Sequence, residues 1–365
     1  MGRYGAGRVM ATIASGLAGR GATVEVVTFT REAASHPLRD PRWTLTVLDA
    51  SKGPWPLLFW CYMRRARPAA VLLADHRFAV APTLVARIAC PAAKVVVVLH
   101  RSPERLLAGG SHMTASRLAS WRALLAIAFR AATTLVAVSD GVRLETIRWL
   151  RLSESRTVTI NNPVLSSAVT RAAAETTEHA WFDRPDRPVV LGVGRLAQEK
   201  DWGTLFRAFA TVRQHLVARL VLLGEGPERP RLERLAVELG LSDDLLLAGE
   251  VSNPYAFMAR ASVLAHAALD EGLPTVLIEA LGLNLPVVAT DCPSGPSEIL
   301  ERGRWGRLVP MRDAEAMAAA LLRAVAEGQP PVGAREAMWA RFSVEAVMEA
   351  YGKLLFREGD NAGSH

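Results

Sequence analysis

The chain has 365 residues, half of them hydrophobic, which is enough apolar material for sizeable cores and a length that suits two domains rather than one. Cys61, Cys90 and Cys292 are far apart with no disulfide or metal-ligand spacing, no stretch reaches the roughly 18 uninterrupted apolar residues of a membrane span, and the Gly-rich start lacks the apolar region of a secretory leader, so a cytoplasmic chain with reduced packing cysteines is expected. The formal charge of +7 is uneven: residues 1–180 carry 23 Lys+Arg against 11 Asp+Glu and the remainder 20 against 25, which suits an anionic partner such as lipid for the first half, while the lack of a helix-turn-helix, zinc-finger or aromatic RNA-binding signature argues against nucleic acid.

In chain order, Gly2, Gly5 and Gly7 form a glycine turn followed by a helical stretch over residues 8–20, ending at Gly21. A doubly wound α/β domain normally opens with a strand before such a turn, and none is legible here. That strand is central in such folds, so its absence leaves two neighbours with open edges. A late start, a fragment or a shorter fold each accounts for it. Short runs rich in Val, Leu and Ala follow at 23–28, 45–48, 70–74, 95–99, 135–138 and 158–160, separated by helical stretches. Residues 54–67, PWPLLFWCYMRRAR, set Trp55, Leu58, Phe59 and Tyr62 at helical spacing beside Arg64, Arg65 and Arg67. Two readings stay open: a helix lying on an anionic membrane surface, or one packed on the first sheet with its arginines in solvent. Residues 165–187 lose the strand signal and read as a linker between a first domain at 1–164 and a second at 188–340. The second carries apolar runs at 189–193, 220–223, 245–247, 263–265, 286–289 and 308–309, and a last helical stretch and polar tail occupy 341–365. Continuous apolar runs, rather than in/out alternation, predict strands buried on both faces, hence parallel sheets covered by helices in two doubly wound domains.

The chemistry concentrates in the second half. Glu271 and Glu279 are separated by seven residues, with Pro274 at the start of a helix between them. Glu271 is therefore expected in the preceding loop and Glu279 inside the helix. Amides near Gly272 and Leu273 would face out of the helix N-terminus, which attracts phosphate or sugar hydroxyls, and two flanking carboxylates suit diol hydroxyls. The plain alternative is a helix-surface glutamate and a near-cap. Arg195 and Lys200 share the loop between the 189–193 run and a helix over 202–215 that Asp201 can cap. Two cations at the carboxyl edge of a sheet suit a diphosphate leaving group, although solvated loop residues would read the same. Gly192-Val193-Gly194 lacks a third glycine, and Gly224-Glu225-Gly226 lacks the Gly-Lys-Ser/Thr of a phosphate-binding loop.

Taken together, VGRLAQEKD (193–201), LVLLGEGPERPRLE (220–233), GEVSNP (249–254), EGLPTVLIEAL (271–281), PVVATDCPSGPSEIL (286–300), AVSDGV (137–142), INNP (160–163) and RFSVEAVMEAY (341–351) resemble family 4 glycosyltransferases, the retaining GT-B enzymes. The resemblance covers nearly the whole chain, most strongly at 188–310 and less before 130. It implies a GT-B fold of two Rossmann-like, doubly wound α/β domains facing a cleft, with the last helix crossing back to the first domain. It implies that Arg195 and Lys200 bind the donor diphosphate, Glu271 the hydroxyls of the transferred sugar, and Glu279 the nucleotide ribose. Backbone at Gly272, Leu273 and Pro274 would touch sugar or phosphate, the strand end at Glu250 and Val251 would hold the base, and Gly5 and Gly7 would approach the phosphates. His100 stands where the family often has a sugar-contacting histidine; an ordinary strand-end histidine is the alternative. Asn284 replaces a usual glycine, tolerably, because asparagine accepts the left-handed conformation. Ala267 and Ala268 replace common serines.

The implied reaction is retaining hexosyl transfer from a nucleotide-diphosphate sugar to a hydroxyl of a glycan or lipid-linked acceptor, with envelope polysaccharide favoured. No cofactor is expected. No Asp-x-Asp occurs in the chain, so no metal is expected either, with Arg195 and Lys200 supplying the charge. A nucleotide-sugar epimerase, a phosphorylase and a non-catalytic nucleotide-binding fragment remain as alternatives.

Overall fold

The computed structural model describes residues 6–29, 40–49, 51, 53–74, 76–108, 114–177, 179–183 and 187–356. It divides into two units: one comprises residues 1–163 with 344–365, the other residues 164–343. Twelve strands lie within the described residues, each within two residues of an apolar run in the sequence, and every pairing between them is parallel.

In the first unit, β1 (Glu25–Thr28) pairs with β2 (Thr44–Val47). A second sheet runs in the order β3 (Ala70–Ala74), β4 (Lys94–Leu99), β5 (Thr134–Ala137) and β6 (Thr157–Thr159). The valines of β4 are buried, as expected of a strand flanked by neighbours and covered by helices. Among the described strands, β1 pairs only with β2 and β3 only with β4. All five residues of β3 are only half-buried although all are apolar.

The helix Trp55–Ala66 turns Phe59 and Met63 into a cluster with Trp55, Trp60, Tyr62 and Val71, while Arg64, Arg65 and Arg67 are exposed. The aromatic stripe therefore packs inward on the sheet, as the second of the two readings has it. Leu57, on the same helix, remains exposed. The first helix begins at Ala6, so Gly7 lies in its first turn rather than in a loop before it. Gly5 lies outside the described residues. The last helix, Val344–Leu355, packs on Ala6–Ala18. Gly16 admits Met348, whose Cγ would be 2.6 Å from any Cβ there. Lys94 Nζ donates to the Leu355 carbonyl at 2.8 Å, placing a cation at the negative end of that helix.

The second unit is a six-stranded sheet in the order β12 (Arg307–Val309), β11 (Val287–Thr290), β10 (Val263–His266), β7 (Val189–Val193), β8 (Arg219–Leu223), β9 (Leu245–Gly249). This is the doubly wound order, in which the chain reverses direction between β7 and β10. Phe206, Phe209 and Leu205 of the helix Trp202–His215 anchor one core. Residues 166–183, within the stretch read as linker, form the helices Ser166–Ala173 and Ala180–Asp183. Phe182 of the second meets Phe257 edge-on at 5.0 Å. Asn284 takes φ 59°, the left-handed conformation expected of it. Cys90 and Cys292 are buried but Cys61 is exposed, so the expectation of three packing cysteines is corrected for Cys61. Among the described residues no helix is long and apolar enough to cross a membrane.

Candidate functional site

The two strands flanking the reversal, β7 and β10, are hydrogen-bonded neighbours, with Val263 opposite Val190 and Leu264 opposite Leu191. In open α/β sheets the crevice outside the carboxyl ends of such a pair is where ligands bind. The loop after β7 carries Arg195 and Lys200; the loop after β10 carries Glu271. Topology alone thus puts both loops at the same edge of the sheet.

The Arg195 turn is fixed by close backbone packing. Gly194 N donates to the Leu223 carbonyl and Leu196 N to the Glu225 carbonyl, each at 2.9 Å. A Cβ on Gly224 (φ 137°) would collide with the Gly194 carbonyl, and one on Gly226 with that of Leu196. These glycines therefore serve backbone contact. Trp202 Nε1 donates to the Arg195 carbonyl at 2.9 Å, and the Arg195 side chain is exposed. Asp201 stands at the N-cap in a left-handed conformation (φ 43°), but its carboxylate accepts from the Thr204 hydroxyl at 2.7 Å. The expected side-chain cap to a helix amide is replaced by that contact.

Lys200 and Glu271 meet in an ion pair between the Lys200 ammonium and Glu271 Oε1, with both side chains largely buried. The resemblance gives these two residues separate partners; here they are each other's. His266, the last residue of β10, adds Nε2 at 3.1 Å from the same oxygen. Burial opposes ionisation of Glu271, but the Lys200 charge and the His266 hydrogen bond outweigh it and hold the carboxyl well below the usual carboxylate range. Burial pushes His266 down, against the pull of Glu271.

The Glu271 loop is braced on three sides. Leu269 N donates to the Glu199 carbonyl at 2.8 Å, tying it to the Lys200 turn. The Thr290 hydroxyl donates to the Ala268 carbonyl and the Ser294 hydroxyl to the Glu271 carbonyl, both at 2.5 Å. Gly295, at φ 94°, lets the segment after β11 press on the loop, since a Cβ there would lie 2.5 Å from Pro274 Cδ and 3.0 Å from the Gly272 carbonyl oxygen. Leu273 is buried, and Pro274 is the N-cap residue of the helix Thr275–Gly282 rather than its first residue.

Glu279 lies inside that helix, buried, with Oε1 accepting from the Tyr255 hydroxyl at 3.1 Å. Tyr255 belongs to Pro254–Met258, whose N-cap Asn253 accepts from Tyr255 N at 3.1 Å and donates through Nδ2 to the Ala172 carbonyl at 2.8 Å. Val251 sits half-buried in the loop after the edge strand β9, separated in the sheet from the Glu271 strand by β7 and β8. Lys200, Glu271 and the backbone at 272–274 are thus one cluster, whereas Val251 lies to its side. His100, in the other unit, is half-buried just past the end of β4. His266, Tyr255 and Ser294 were not singled out from sequence. An Asn-Pro step is a usable signal for the helix that aims Tyr255, because asparagine caps and proline suits the first turn. His266 had none, being the end of an apolar run.

Residues 4–165 match the family model described as Glycosyltransferase Family 4, and residues 187–327 the model described as Glycosyl transferases group 1. The chain is 32% identical over 197 residues to the lipopolysaccharide core biosynthesis glycosyltransferase LpsE of Rhizobium meliloti, an alignment covering 53% of this chain and 57% of that protein. It is 39% identical over 128 residues to the N-acetylgalactosamine-N,N'-diacetylbacillosaminyl-diphospho-undecaprenol 4-alpha-N-acetylgalactosaminyltransferase of Campylobacter jejuni, covering 35% and 34%. The chain thus spans less than two thirds of the length of these curated relatives. Among solved structures, Anabaena HepE in complex with UDP superposes with a TM-score of 0.77 at 17% identity, covering 97% of this chain and 96% of that one. Two glycosyltransferase family models thus each match one half of the chain, and the GT-B fold is shared along nearly its whole length.

Proposed function

We propose that this chain moves a glycosyl group from a nucleoside-diphosphate sugar to a hydroxyl acceptor, with retention of configuration and without a divalent metal. The observation that carries the reading is the Lys200–Glu271 pair at the sheet's reversal point. A cation and a fixed carboxylate in contact suit a ligand whose anionic diphosphate adjoins a ring of hydroxyls. Lys200, with Arg195 beside it, takes the diphosphate; Glu271 takes sugar hydroxyls; Glu279 takes the ribose; backbone at Val251 takes the base. Gly272, Leu273 and Pro274 line the sugar and phosphate. The bond from the anomeric carbon to the diphosphate oxygen breaks and a bond to the acceptor oxygen forms. The acceptor proton passes to the departing diphosphate, whose charge the two cations stabilise. No cluster of His, Cys, Asp or Glu fit for a metal occurs among the described residues. The names of the relatives, one for lipopolysaccharide core and one for a diphospho-undecaprenol glycan, support an envelope or lipid-linked acceptor. Exposed Leu57, Arg64, Arg65 and Arg67 support peripheral contact with an anionic membrane.

The test is donor hydrolysis and thermal shift across UDP-, GDP- and ADP-sugars, with and without EDTA, in wild type, Glu271→Ala and Lys200→Ala. EDTA-insensitive turnover of one donor, lost in both variants, is expected. Binding without turnover, even with membrane acceptors, would point instead to a non-catalytic nucleotide-binding protein, and no binding at all would sink the site.

A further inference from the structure

We infer that His266 is a positioning residue for Glu271: its neutral imidazole, protonated on Nε2, holds Glu271 Oε1 in place so that Oε2 is left to take a hydroxyl of the donor sugar. The inference rests on the donor-site reading above and adds a residue to it.

The tautomer follows from the partners. Glu271 is an ionised carboxylate and can only accept, so the ring nitrogen 3.1 Å from Oε1 carries the proton. The other nitrogen, Nδ1, is buried and has no hydrogen-bond partner among the described residues. A proton there would meet no acceptor among the described residues, and burial and the Lys200 charge oppose a charged ring, against the pull of Glu271 and of the main chain at His266. Oε1 accepts from both His266 and Lys200, and the described residues make no hydrogen bond to Oε2.

A neutral donor has a specific use here. When Lys200 turns to a diphosphate, Glu271 loses its cation while remaining largely enclosed. A group that holds the carboxylate without neutralising it leaves the full charge for sugar hydroxyls, since hydrogen bonds to an ionised acceptor are the stronger ones. His266 is well placed to do this because it does not depend on a loop. It ends β10, in register with Ala289 of β11, and its side chain is 3% exposed. The loop from 267 to 271 is separately pinned by Thr290, Ser294 and the Glu199 carbonyl. The main chain of Glu271 is thereby fixed, and His266 sets the remaining side-chain freedom.

The experiment measures affinity for the bare nucleoside diphosphate and for the accepted nucleoside-diphosphate sugar, with kcat and KM for donor hydrolysis, in wild type, His266→Leu, His266→Gln and Lys200→Ala. His266→Leu should bind the bare diphosphate within about twofold of wild type, bind the sugar nucleotide about tenfold more weakly, and lose about tenfold in kcat. His266→Gln, whose amide can donate, should recover most of both losses, whereas Lys200→Ala should weaken both ligands. Equal weakening of both ligands in His266→Leu, or of neither, overturns the inference. Should that variant fail to fold, imidazole ¹⁵N shifts of the wild type decide: a neutral ring protonated on Nε2, with and without sugar nucleotide, supports it, and an imidazolium or an Nδ1–H ring refutes it. If the wild type itself takes no sugar nucleotide, the donor-site reading falls and this goes with it. A wild type that discriminates beside a His266→Leu that discriminates equally well removes only the role of His266.

Discussion

The Tyr255 hydroxyl donates to Glu279 Oε1 across 3.1 Å, and both residues are buried. Glu279 and Glu271 are thus each met by a buried uncharged donor from another element, Tyr255 from the helix after β9 and His266 from β10. Tyr255→Phe keeps the ring and removes the hydrogen bond to a buried carboxylate. We expect a loss of about 1–3 kcal/mol in unfolding free energy, read by urea titration, and weaker binding of any nucleoside diphosphate. A variant as stable as wild type would show that the hydroxyl is dispensable to Glu279.

The Lys200–Glu271 pair is enclosed enough for loss of one partner to hurt more than loss of both. Lys200→Met alone should cost about 3 kcal/mol, because it leaves a carboxylate with His266 as its remaining partner. Adding Glu271→Gln should return a good part of that cost. A double-mutant cycle by chemical denaturation checks it, with simple additivity as the contrary result.

Acid should expose the same pair. The folded-state pKa of Glu271 is depressed, so the unfolded chain binds this proton more readily than the folded one. Its contribution to stability is therefore full above the unfolded value of about 4.3 and is lost as pH falls below it toward the lower folded value. Denaturation midpoints measured from neutral pH down to pH 3 should fall more steeply for wild type than for Glu271→Gln. Parallel curves would mean the carboxylate is not held ionised.

Gly295 has φ 94° and backs directly onto Pro274 and Gly272. Gly295→Ala must both strain the backbone and push the Glu271 loop, at about 1–3 kcal/mol. Donor affinity should fall along with thermal stability. A stable protein with unaltered donor affinity would show that this brace does not set the site.

Much of the architecture is readable without coordinates because parallel strands buried on both faces leave continuous apolar runs, as in KVVVVL of β4. The loops bearing Arg195, Lys200 and Glu271 are readable for the same reason, since each directly follows such a run. Partners are harder to read. His266 merely ends an apolar stretch, and its distance from Glu271 depends on how the loop after β10 turns back. The pairing of Lys200 with Glu271 joins residues 71 apart in the chain and arises only because β10 lies beside β7. Asp201 looks like a helix cap, but its left-handed backbone turns the carboxylate to Thr204 instead. Gly7 falls inside a helix because nothing local prevents Ala6 from starting it. Cys61 faces solvent because the same helix buries Phe59 and Met63 on its other side.

The helix Val344–Leu355, fastened by Lys94 and seated in the space that Gly16 leaves, has a consequence for biosynthesis. Residues 164–343 form one uninterrupted stretch, so that unit has every strand in hand before the last helix leaves the ribosome. The first unit, although translated earlier, lacks its covering helix until then, and the apolar face of Ala6–Ala18 must wait. Synthesis therefore finishes the units in the reverse of the order in which it begins them.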